Sequence, residues 1–274
     1  MNKTLVLRGM AAGGIAGLLA FVFARIFAEP RIEAAIDYET GREAAQSVVD
    51  SGMHVHDPVH AAHEAGAELF TRTVQAGVGS AAALIVFGIA LGTVFAAVFA
   101  LAFGRVGGLR ARSLALVLAG AGLLVVYLVP FLKYPANPPA VGAPDTIGTR
   151  TSFYLVAVLA AAAVLGGAVW LGRALRSRLG TWNASLAATV AFVLGTGVVL
   201  AVLPGFDETP GALLAPDGAM VYPGFPADVL AEFRLYSVLT QVVLWVAIGL
   251  VFGALAERVL RNGDRPAARA TVGL

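Results

Sequence analysis

All four histidines of the chain fall within HVHDPVHAAHE, residues 54–64: His54, His56, His60 and His63, with Asp57 and Glu64 among them. Imidazole nitrogen beside carboxylate oxygen is a ligand set for divalent first-row metals such as cobalt, nickel and zinc. The spacing suits that chemistry. Asp57 before Pro58 reads as a helix start, with aspartate as N-cap and proline in the first helical position. His60 then shares a helix face with His63 and with Glu64, three and four residues on. His54 and His56 alternate on an extended lead-in. The expected ligands are His56, His60 and Glu64, with His54 and His63 completing or exchanging in the site. The same tract also fits a solvated loop that binds nothing, because a His-rich composition alone does not make a site.

The elements that must position this stretch are membrane helices. Of 274 residues, 58% are hydrophobic and only 13% charged, and mean hydropathy is +0.82. Apolar runs near the ~20 residues needed to cross a bilayer read as helices, and the fold class expected is an all-α integral membrane protein. The spans expected are 5–28, 77–103, 114–132, 153–171, 184–203 and 236–255, six helices in a single membrane domain, 1–274. The first is read as a retained helix rather than a cleaved leader, because Arg25 interrupts it and no small-x-small site follows. Gly9, Gly13 and Gly17 form one smooth face on it, suited to close approach of a neighbouring helix.

Charge segregates along this pattern. Arg105, Arg110 and Arg112, then Arg173, Arg176 and Arg178, then Arg258, Arg261, Arg265 and Arg269 all fall on the side of the termini with Lys3 and Arg8. That side is cytoplasmic by the positive-inside rule. The opposite side carries nearly all carboxylates, and its first loop, 29–73, holds the histidines. An acidic loop concentrates cations near it. The outgoing helices end at Pro30, Pro130 and Pro204, and the returning ones start near Arg72, Arg150 and Arg234. That regularity suggests three hairpins of the same polarity, but prolines past helix ends and snorkelling arginines account for it more simply, and no other internal similarity supports a repeat. The loop from Pro130 to Thr151 is stiffened by its prolines and reads as either a cap or a connector.

Several function classes are excluded or weakened. Cysteine is absent, so there is neither a disulfide nor a thiolate site. Neither lysine, Lys3 or Lys133, follows a glycine, so there is no Walker A loop. No basic patch with interleaved aromatics points to nucleic acid. An intramembrane acid–base pair is lacking, which argues against an enzyme. The polar groups nearest the outer helix ends are Glu29, Gln75, Asn137 and Gln241, and they are the expected path for any ion that crosses.

The N-terminal glycine-rich helix, EPRIEAAIDYE from Glu29, FALAFGR at the end of the second span, KYPANPPAVG from Lys133 and the closing FPADVLAEFRLYSVLTQVVLWVAIGLVFGALAER carry a resemblance over nearly the whole length. The chain resembles the CbtA family, the probable cobalt transporter subunits. The resemblance implies a bacterial inner-membrane protein tied to cobalt supply for cobalamin biosynthesis, and a small CbtB-like partner with one membrane helix. Members are usually described with five membrane helices, where the hydropathy here reads as six. The expected function is transition-metal transport, with the ion as substrate and no tightly bound cofactor. The alternative is a non-transporting subunit that packs against or regulates another membrane complex. A homo-oligomer is compatible with either.

Overall fold

The computed structural model describes residues 3–53 and 75–263. The histidine stretch, His54, His56, His60, His63 and Glu64, lies outside the described residues. The chain forms α1 (Lys3–Phe27), α2 (Glu29–Met53), a π turn Gln75–Gly79 leading into α3 (Ser80–Ala102), α4 (Ala111–Phe131), α5 (Ile147–Val202) and α6 (Ala227–Gly263). Five of its helical segments are long and apolar enough to cross a membrane. A small antiparallel ladder, β1 (Leu213–Leu214) with β2 (Met220–Tyr222), is an addition to the all-helical expectation.

The bundle centres on α1, α3, α4 and α6. The glycine face of α1 packs on α3 in antiparallel register: a Cβ on Gly9, Gly13 or Gly17 would collide with the carbonyl oxygen of Gly92, Gly88 or Leu84 respectively. Small residues permit this backbone-to-backbone approach, and dispersion and weak Cα–H contacts supply the attraction that lipid cannot. α6 runs antiparallel to α4 on small residues too, with Gly249 over Ala119 and Gly253 over Ala115. Phe95, Phe99 and Phe252 meet edge to face at the centre, at 5.3 and 5.0 Å, and Leu114, Leu244 and Ile248 are buried beside them.

α5 is the least enclosed segment and α6 the most. As a continuous rod α5 would measure roughly 80 Å, far beyond the ~30 Å of a hydrocarbon core. It is not continuous. Gly180 has φ 72° and ψ 170°, a conformation that only glycine adopts freely. A Cβ on Gly172 would lie 3.1 Å from Ala188 Cβ, and one on Gly195 2.7 Å from Val164 Cγ1. Both pairs straddle Gly180 nearly symmetrically, so two arms, 147–179 and 181–202, fold back on each other. This pairing differs from the three separate hairpins suggested by the proline–arginine regularity. The second arm packs on the first, and α6 packs on α1 and α4.

The 29–73 segment, expected as a loop, begins with a regular helix. α2 is rich in glutamate, alanine and arginine, which favour helix, but it has no apolar stripe to announce itself. Its tertiary anchor is Tyr38, whose ring packs on Phe225 at 4.9 Å and Tyr222 at 5.4 Å. The Tyr38 hydroxyl donates to Pro223 O at 3.1 Å, and Arg42 Nη1 donates to Gly211 O at 2.7 Å. Ala35, Val141 and Val229 complete a second, smaller core over the end of the bundle that carries Pro130 and Pro204. The described part of α2 reaches Met53, next to His54 in the sequence.

Candidate functional site

At that same end the chain forms an open cavity of about 700 Å³. Its construction starts from Pro130, which sits in the last turn of α4 and has no N–H for the carbonyl four residues back, Val126. The helix loosens into a π turn over Leu123–Leu128, and the Val126 carbonyl accepts the Tyr154 hydroxyl of α5 at 2.9 Å instead. Tyr127, Phe131, Tyr154 and Leu155 thereby form one wall.

The opposite wall is KYPAN, residues 133–137. Its proline, Pro135, has no N–H to donate, and its carbonyls are taken from outside. Arg234, near the start of α6, donates Nε to Ala136 O at 3.3 Å and Nη2 to Asn137 Oδ1 at 3.0 Å. The Tyr134 hydroxyl donates to Pro204 O at 2.8 Å, and burial pushes its phenol above the ordinary value.

Glu208 closes the third side. It accepts hydrogen bonds from the Thr146 hydroxyl and, at 3.0 Å, from Ala143 N–H, and it pairs with Arg150 Nη1 at 3.1 Å. The Thr146 hydroxyl, then the Ala143 N–H and the Arg150 guanidinium, hold its carboxyl below the usual value against the opposing effect of desolvation. Gly142, at φ 119°, lets the chain pass under Arg150, where a Cβ would lie 2.8 Å from Nη2. The cavity therefore faces three cationic side chains, Lys133, Arg150 and Arg234, and two acidic ones, Asp207 and Glu208.

Of the expected path residues, the fold places Asn137 on this cavity, its amide oxygen engaged by Arg234. Gln241 is half-buried two turns along α6 from Arg234 and on the same stripe of the helix. Glu29 is buried at the α1–α2 junction, on the other flank of α6. There Phe27 meets Tyr236 at 5.6 Å and Arg31 pairs with Glu232 at 3.2 Å. Gln75 opens the π turn ahead of α3. The four thus divide between two flanks and the entry to α3. Among the described residues no group of three or more His, Asp or Glu side chains is disposed to hold a metal ion.

The charged lining of the cavity escaped sequence reasoning. The available signal was that Lys133, Arg150 and Arg234 are basic residues within the segments that carry most of the carboxylates. A family model described as "Probable cobalt transporter subunit (CbtA)" matches residues 2–257. No curated protein and no solved structure matches the chain.

Proposed function

The chain belongs to the CbtA family, and from that premise we propose that it moves cobalt, or a similar divalent ion, across the bacterial inner membrane as a permease or permease subunit. The family match over nearly the whole chain is the observation that carries this reading. A multi-pass helical membrane protein suits it, and the word "subunit" in the family's description supports a partner chain.

In this proposal the chain crosses six times, α5 contributing two crossings that meet at Gly180, and both termini are cytoplasmic. Arg173, Arg176 and Arg178 flank that turn, and their charge supports its cytoplasmic position. The outer cap carried by α2 then delivers the histidine stretch to the outer surface. There His56, His60 and Glu64, joined by His54 and His63, capture the ion. Neutral imidazole is the ligating form, so capture weakens as pH falls through ~6.5. Moderate affinity suits an entry site, because an ion held too firmly does not leave.

The excess of positive charge around the Lys133–Arg234 cavity disfavours a dication there. The route we propose therefore runs by Glu29, Gln75 and Gln241, with Asn137 serving to fix the outer wall. Calorimetry on the full chain in detergent tests the capture step. The wild-type protein should bind cobalt at neutral pH, and the variant with alanine at His54, His56, His60 and His63 should not. Equal binding by the two would remove the stretch from the mechanism.

A further inference from the structure

We propose that the cavity bounded by Lys133, Arg150 and Arg234 binds a phosphate group, esterified in a phospholipid headgroup or free in solution. The proposal does not depend on the metal-transport reading.

The charges are not internally neutralised. Glu208 is committed to Thr146, Ala143 and Arg150, and Asp207 is exposed. Arg234 donates hydrogen bonds to two neutral oxygens, of Ala136 and Asn137. A guanidinium has five N–H donors, so most of its donor capacity and all of its charge remain. Lys133 is half-buried, and its ammonium has neither a hydrogen-bond nor an ion-pair partner among the described residues. The Arg150 Nε is buried without a partner. A cavity of about 700 Å³ with these groups on its walls is of the size that takes small ligands. An anion is what it attracts. Phosphate meets both cation types, the planar fork of arginine and the point charge of lysine.

The other half of the lining says where such a phosphate would come from. Tyr127, Phe131, Leu132, Tyr154 and Leu155 descend from the polar loop into the apolar segments of α4 and α5. Leu132 is 76% and Leu155 57% exposed on that side. In a bilayer these residues face lipid, at the depth where tyrosines gather and headgroups lie. A phospholipid fits with its phosphate between Lys133 and Arg234 and an acyl chain along Leu132 and Leu155. A soluble phosphate would use only the upper half.

The two sources separate experimentally. The full chain, purified in detergent, is titrated with phosphatidylglycerol and followed by native mass spectrometry, and separately with inorganic phosphate by calorimetry. The informative variant is Lys133→Glu, which breaks no side-chain hydrogen bond or ion pair among the described residues and reverses a charge in the cavity. Arg234→Lys, which keeps the charge and loses the fork, is the second. Wild-type retention of one phosphatidylglycerol, weakened tenfold or more by Lys133→Glu, establishes the lipid source. Binding of inorganic phosphate alone, weakened likewise, establishes a free phosphate site. Failure to bind either, or binding unchanged in both variants, overturns the proposal.

Discussion

Glu208 joins the segments around Ala143 and Arg150 to its own. Its carboxyl is held below the ordinary value, about 4.5, chiefly by the Thr146 hydroxyl. A depressed carboxyl adds stability that is fully present above the ordinary value and is lost as pH falls through the depressed one. Thermal melts of the detergent-solubilised chain should therefore show the region around Ala143, Thr146 and Arg150 loosening on acidification below about 4.5. Glu208→Gln should melt lower at neutral pH and lose that acid-side dependence; a variant as acid-sensitive as wild type would assign the effect to another group. Tyr154→Phe should cost about 1–3 kcal/mol, because the Val126 carbonyl that Pro130 leaves free would lack a partner where water is scarce. Part of this was legible beforehand. Pro130 and the stiffness of KYPANPPAVG can be seen in the residues themselves. Their partners cannot, since Arg234 reaches Asn137 from 97 residues away and Glu208 reaches Thr146 from 62.

At the level of elements, the glycine spacing on α1 announced its own packing, because a four-residue repeat of the smallest side chain serves close helix approach. Gly13→Leu should separate α1 from α3 and destabilise the bundle by about 1–3 kcal/mol or more, as overpacking does. Gly120→Leu, on α4, should be nearly neutral, since nothing lies within 4 Å of the added Cβ. Equal melting temperatures for the two variants would refute the α1–α3 interface. Gly180→Ala should also destabilise, because a φ of 72° with ψ of 170° is essentially glycine-only backbone and strains alanine by about 1–3 kcal/mol. α2 was illegible for the opposite reason. Its apolar residues form no continuous stripe, and it is anchored mainly by Tyr38 on residues more than 180 positions away, so no clear periodicity marks it. The boundaries of α5 and α6 extended beyond the apolar runs because helical hydrogen bonding does not stop where the lipid does.

Across the whole molecule, the hydropathy pattern separates 153–171 from 184–203 by a polar, arginine-bearing stretch, whereas the backbone stays helical except at Gly180. That single residue is where a count of five segments and a count of six part. The absence of cysteine makes the orientation testable without background. A cysteine at Ser51, exposed on α2, should react with an impermeant reagent added to intact cells, and one at Ser177, exposed beside the Gly180 turn, should not. The reverse pattern would invert the proposed topology and place the histidines in the cytoplasm. The central claim is that the chain supports cobalt entry and that the stretch His54 to Glu64 starts it. Accumulation of radioactive cobalt at limiting external concentration measures this most directly, in cells carrying the wild-type chain, the four-alanine variant or an empty vector. The account predicts uptake above vector for the wild type and near vector for the variant at equal membrane abundance. Wild-type uptake no higher than vector, or a variant as active as wild type, would contradict it.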